Sequence, residues 1–177
     1  MNKSAYSLAL AGAVLVLAGC NGQSQAQKDE ASKGVEAVKQ AGDKTIAAGL
    51  DQNGSFFKAA KAAGLDATLA GPGPYTVIVP DDAAFAKLPE GEFDSWLKPE
   101  SRNELTRVMT YHILPGTVLA ADIGKAIDDG KGKAVLATMG GGTLTASREG
   151  DKIVLTDGDG HKATMAGTDE TLANGVI

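Results

Sequence analysis

Residues 75–85 read Tyr75-Thr76-Val77-Ile78-Val79-Pro80-Asp81-Asp82-Ala83-Ala84-Phe85. The first five are β-branched or apolar on both faces of an extended chain, the pattern of a strand buried on both sides. Pro80 has no N–H to give to a ladder, so the strand is expected to end there. Asp81 or Asp82 can accept from the free N–H groups of a following turn, which starts a helix. Strand, stop and capped helix thus fit into one short segment, and the rest of the chain is read outward from it.

The composition fits one packed domain, and 23 glycines with 5% aromatic residues point to small side chains, tight turns and close backbone approaches. A net charge of −5 argues against non-specific nucleic-acid binding, which needs a basic surface. Cys20 is the single cysteine, so no intrachain disulfide can form.

The start of the chain is of a different kind. Lys3 is followed by an apolar run from Ala5 to Leu17, shorter than a spanning helix needs, and the run ends in Leu17-Ala18-Gly19-Cys20. This resembles a bacterial lipoprotein leader with its lipobox. The resemblance implies cleavage after residue 19, lipid on Cys20, and a membrane-anchored protein. Asn21 after the lipid site favours the outer membrane, facing the periplasm or the cell surface. Residues 20–44 are polar and small, with a weak helix expected near Glu30 to Gln40. As a coil, a tether of roughly 24 residues averages about 25–30 Å end to end.

From Thr45 the pattern becomes that of a domain. Ile46, Leu50, Phe57 and Ala60 suggest two short helices around Asn53-Gly54, the second capped by Ser55 and stopped at Gly64. Leu65 to Leu69 can add a turn, and Gly71-Pro72-Gly73-Pro74 forces one before the opening strand. The helix begun at Asp82 is expected to reach Leu88-Pro89. A short helix near Phe93, Trp96 and Leu97 follows, then an amphipathic one over 101–110 carrying Leu105, Val108 and Met109. Tyr111 to Leu114 has strand character, and Ala120 to Ile127 suits another helix. Strands at 134–139, 143–147, 152–156 and 162–165, separated by glycine turns, complete an α+β pattern.

Three pieces of this chain, in order, resemble the fasciclin domain. Thr76 to Phe85, with Thr76, Val77, Pro80, Asp81, Asp82 and Phe85, is similar to that family's first motif, T-V-F-A-P-T-D-x-A-F. Tyr111-His112, followed by Pro115-Gly116, resembles its central tyrosine-histidine motif. Asn174-Gly175-Val176-Ile177 resembles the start of its last motif, N-G-V-I-H-V-I-D-x-V-L. The resemblance implies a fasciclin-like fold over 45–177, with short helices packed on a β-sheet wedge. It also implies an adhesion or protein-interaction module whose partners are envelope or extracellular proteins or surface polymers. The alternative it carries is a binder of a small apolar ligand or pigment in the cell envelope. Asp81 stands where the family has threonine, and a carboxylate caps as well as a hydroxyl. The sequence stops at Ile177 as the family's final strand begins, so a missing last strand, an exposed sheet edge and a C-terminally incomplete domain are expected.

No constellation for catalysis stands out. His112 lacks a nucleophile or second ligand at a recognisable spacing, and it reads as a core histidine bonded to backbone or to the Asp81 region. Tyr111 reads as a packed aromatic with a polar partner for its hydroxyl. Both stay candidate interaction residues because the resemblance connects this motif with adhesion. Asp122 and Ile123 join them through the Asp-Ile motifs of animal relatives, although Asp122 can simply cap a helix. Asp157-Gly158-Asp159-Gly160-His161 fails the EF-hand pattern, since the twelfth position is Thr168, and it reads as a type I′-like hairpin turn. Gly140 to Gly142 has no following lysine, so it is not a phosphate loop. No enzyme activity, metal or cofactor is expected.

Overall fold

The computed structural model describes residues 43–177. The expected leader, Cys20 and most of the expected tether, including the helix expected near Glu30 to Gln40, lie outside the described residues. In chain order the helices are α1 (Ile46–Gly49), α2 (Ser55–Ala63), α3 (Asp66–Ala70), α4 (Asp82–Phe85), α5 (Glu92–Trp96), α6 (Arg102–Tyr111) and α7 (Ala120–Asp129). A 3₁₀ turn, Pro99–Ser101, leads into α6. The strands are β1 (Tyr75–Val77), β2 (Ile113–Pro115), β3 (Lys133–Ala137), β4 (Thr143–Glu149), β5 (Lys152–Thr156), β6 (Lys162–Thr164), β7 (Thr171–Leu172) and β8 (Gly175–Val176).

These strands make two sheets. One has the order β2-β1-β8-β7, and the other is the antiparallel meander β3-β4-β5-β6. In the first sheet β1 pairs antiparallel with β2 and parallel with β8. The opening stretch is therefore an inner strand of the sheet, flanked by segments from the middle and the end of the chain.

Each sheet has its own core. Phe56, Ala59, Ala60 and Ala63 recur at i, i+3, i+4 and i+7 along α2, so its apolar stripe faces inward. They meet Leu105 and Met109 of α6, Leu69 of α3, Ile46 of α1, and Val77 and Ile113 from the sheet. The second core forms where Ile123 and Ile127, one turn apart on α7, cover Ala134, Leu144, Ala146 and Leu155 of the meander. Thr76 is buried in the first sheet, with its hydroxyl donating to the Gly116 carbonyl and accepting from the Val118 N–H, both at 2.8 Å.

Several expectations are corrected. The opening strand is three residues long rather than five, because its ladder partners end at Val77; Val79 is 37% exposed. Helix α4 ends at Phe85 rather than near Leu88, and Lys87 and Leu88 close tighter i→i−3 bonds to Ala84 and Phe85. Tyr111 is the last residue of α6 and His112 its C-cap, so the extended chain begins only at Ile113. The β-branched and aromatic character of this run is overridden by the helical hydrogen bonds of α6. The 157–161 loop is also not a two-residue I′ turn. Asp157 Oδ1 accepts from the N–H groups of Asp159 and His161 at 2.9 and 2.8 Å, making an Asx-stapled five-residue connection.

Gly175–Val176 forms β8, which lies between β1 and β7 in the first sheet. Strand β7 was not foreseen, because two residues with one buried leucine carry no periodic signal.

Helix capping shows how local chemistry becomes tertiary. Asp81 caps α4 as expected, accepting the Ala84 N–H at 2.8 Å. Asp82 does something else: its carboxylate accepts the Ser55 N–H at 2.9 Å, at the start of α2. Ser55 is thus the first residue of α2 and not its cap, and the aspartate pair of the opening stretch holds two different helix starts. The Ser55 hydrogen bonds hold the Asp82 carboxyl below its ordinary pKa. Gly64 ends α2 in the left-handed conformation, φ 78°, as read from sequence.

Candidate functional site

The tyrosine-histidine pair lies where α6 hands over to β2, at the junction of the two cores. Its position follows from backbone bonds. Ile78 N–H donates to the His112 carbonyl at 2.8 Å, joining the opening stretch to the pair. Gly140 N–H donates to the Thr110 carbonyl at 3.0 Å and Met139 N–H to the Ile113 carbonyl at 2.8 Å, joining the pair to the meander.

Tyr111 turns toward the meander. Its hydroxyl donates to the Thr143 carbonyl at 2.8 Å. The glycine run lies against it: a Cβ on Gly142 would come within 2.5 Å of Tyr111 Cε2, and one on Gly140 within 2.9 Å of Tyr111 N. Gly140 and Gly142 are therefore glycines because the tyrosine occupies the space a side chain would take. Burial, together with the negative Asp157 nearby, raises the Tyr111 pKa.

His112 turns the other way, toward the helices. Its ring stands edge-on to Phe56 at 6.1 Å and to Tyr111 at 6.4 Å. Nδ1 lies 2.9 Å from the Val108 carbonyl. A carbonyl only accepts, so Nδ1 carries the proton and Nε2 holds the lone pair. Burial lowers the His112 pKa below 6.5, against a smaller opposing effect of the Val108 bond.

The sign of the resulting pH dependence follows. Above pH 6.5 the ring is neutral in both states and its contribution to stability is fully present. As the pH falls below 6.5, the unfolded chain takes up a proton that the folded chain resists, and stability is lost down to the folded pKa. His161 acts oppositely, since its bond to Asp157 raises its pKa. In a His161→Ala background, denaturant unfolding followed from pH 7.5 to 5 should show a steeper loss of stability with His112 than with Phe at that position. Equal slopes would rule out the buried neutral imidazole.

The other candidates lie apart from this pair. On α7, Asp122 is exposed and its Oδ2 accepts the Leu119 N–H at 3.0 Å, while Ile123 is buried in the second core. Of those two, only Asp122 presents a side chain at the surface. Asp157, Asp159 and His161 bring three potential ligand atoms within 4.8 Å of one another. Their bonds serve the loop itself, with His161 Nδ1 at 2.9 Å from Asp157 Oδ2.

Asn174 and Gly175 lie at the opposite end of the first sheet and bind the domain together. Asn174 Oδ1 accepts the Ile46 N–H at 2.7 Å. Its Nδ2 donates to the carbonyls of Leu69 and Gly71, at 2.8 and 2.7 Å. Its own carbonyl accepts the Tyr75 N–H at 3.1 Å. One residue thus ties α1, α3, the Gly-Pro turn and the opening strand. The sequence marked it only as part of a motif.

Comparison with known proteins agrees with this architecture. The sequence model of the Fasciclin domain matches residues 51–177. Protein sll1483 of Synechocystis sp. is 35% identical over 132 residues, covering 75% of this chain and 66% of that protein. Immunogenic protein MPB70 of Mycobacterium bovis is 38% identical over 72 residues, 41% of this chain and 36% of that one. The chain thus matches less than two thirds of the length of these relatives. Among solved structures, the FAS1 domain pair of the insect cell adhesion molecule fasciclin I superposes with a TM-score of 0.62 at 16% identity, over 76% of this chain and 48% of that one. That likeness carries the fold, and the family match carries the kinship. By its ordered motifs, its two-sheet fold and the match over 51–177, the chain belongs to the fasciclin domain family.

Proposed function

We propose that this protein is a membrane-anchored adhesion or protein-interaction module of a bacterial envelope, lipidated on Cys20 and held off the bilayer by its tether. The observation that carries the reading is membership of the fasciclin domain family, whose domains are typically non-enzymatic adhesion modules. The leader supports the anchor, because an apolar run too short to span ends in Leu17-Ala18-Gly19-Cys20. Several acyl chains hold a protein to a bilayer, whereas a single one is marginal. Anchoring matters physically. A surface-tethered domain meets its partners at high effective concentration, so a modest patch of contact suffices. Partners on this reading are envelope or extracellular proteins or surface polymers, reached from the outer membrane.

The test removes residues 45–177 while keeping the leader and tether, and measures attachment of intact cells to surfaces or host cells. Attachment should fall to the level of a strain lacking the whole protein. Unchanged attachment, with the intact protein confirmed at the surface, refutes the adhesion reading. A Cys20→Ser variant in the same assay should release the protein from the membrane fraction and lower attachment to the same level.

A further inference from the structure

Beside His112 lies a half-open cleft that the adhesion reading does not use. It is bounded by Phe56 of α2, Phe85 of α4, Leu88, Trp96 of α5, and Met109 and His112 at the end of α6. Its volume is about 180 Å³. An engineered apolar cavity of about 150 Å³ holds benzene, so this one has room for a single ring with a small substituent. A pigment with a long conjugated chain does not fit inside it.

The lining is mostly carbon, and the side chains with heteroatoms are Met109 with its thioether, Trp96 with an indole N–H donor, and His112. His112 Nδ1 is committed to Val108, which leaves Nε2 as an acceptor. Among the described residues nothing donates to it. Every fully buried side-chain nitrogen or oxygen there has a partner, so Nε2 keeps contact with accessible space, and the cleft is the space that His112 borders. An apolar slot with aromatic walls and a single acceptor suits a molecule with an aromatic face and one O–H donor.

We infer that the cleft between α2, α4, α5 and α6 binds a small phenol, its ring packed among Phe56, Phe85 and Trp96 and its hydroxyl donating to His112 Nε2. This goes beyond the adhesion reading and does not depend on it. No covalent step is involved.

Trp96 is the chain's single tryptophan, so its fluorescence, excited where phenols do not absorb, reports occupancy of the cleft. The probes are p-cresol and toluene, which differ only by the hydroxyl, titrated into the full-length protein. We expect saturable changes with both and tighter binding of p-cresol by about three- to tenfold, the net effect of one hydrogen bond. His112→Phe keeps a ring and deletes the acceptor, so it should abolish or reverse the preference for p-cresol over toluene. Ala84 of α4 also lines the cleft, so Ala84→Met fills it and should weaken both probes together. If the histidine variant does not fold, the wild-type ratio and the Ala84→Met response still decide. Toluene binding as tightly as p-cresol, no saturable response to either, or an Ala84→Met protein that binds like wild type would each overturn the inference.

Discussion

Asn174→Ala is expected to cost about 3–5 kcal/mol, among the largest effects of any single polar substitution in this domain. The asparagine is 9% exposed, and alanine leaves the Ile46 N–H and the Leu69 and Gly71 carbonyls without their side-chain partner. A buried group left unsatisfied costs about 1–3 kcal/mol, and the loss is shared between the start of α1 and the end of α3. Urea denaturation should show the midpoint falling with the slope unchanged. Asn174→Asp sharpens the test. It keeps an acceptor for Ile46 but aims a carboxylate oxygen at two carbonyls, so it should be at least as damaging at neutral pH and recover partly as the carboxyl is protonated. A cost below about 1 kcal/mol for the alanine variant would mean that water replaces all three bonds.

Gly175→Ala should be nearly as severe, at about 3–4 kcal/mol, for a steric reason and not a polar one. Gly175 pairs with Tyr75 in the parallel β1–β8 ladder at φ 152°, a backbone region that side chains rarely adopt. A Cβ there would collide with the Tyr75 carbonyl and come within 2.8 Å of Ile46 Cδ1. The obstacle is backbone inside a sheet, so rotating a side chain cannot relieve it. For a domain of this size the expected fall in Tm is roughly 10–15 °C by differential scanning calorimetry. Gly116, left-handed at φ 91° but with open space where a Cβ would stand, is the control. Gly116→Ala carries conformational strain alone, and its loss should be clearly smaller. Equal losses at the two sites would assign the whole effect to φ and none to the close strand approach.

Both predictions fall on the last motif, and the contrast between its residues and the opening stretch separates two kinds of information. What was legible from sequence was local. The Asp81 cap, the left-handed Gly64 and the glycine turns of the meander each depend on a residue's own backbone preference or on a partner three or four positions away. The interior stripe of α7 was legible because Ile123 and Ile127 stand one turn apart, whereas on α2 the spacing pointed to Phe57 and Ala60 and the fold buries Phe56, Ala59, Ala60 and Ala63. The ordered motifs identified the family for the same reason, since they are short runs read residue by residue.

What the tertiary structure decided lies in contacts between distant residues. The side-chain partners of Asn174 are 103 to 128 positions away, and Asp82 reaches back 27 residues to cap α2. Asp169 likewise accepts the Ala120 N–H at the start of α7, 49 positions away. Neither spacing nor propensity encodes such pairs, because the chain must fold before the groups meet. The candidate site divides in the same way. Tyr111 and His112 were recognisable as a pair, but their placement at the end of a helix depended on backbone bonds from Ile78, Met139 and Gly140. So did their opposite orientations, the one toward the glycine run and the other toward a cleft. The opening stretch by itself determined that a strand runs into a helix capped by Asp81, while the strand's end at Val77 was set by its ladder partners. Only the assembled fold made that strand an inner member of a sheet, because β2 and β8, which flank it, come from later parts of the chain.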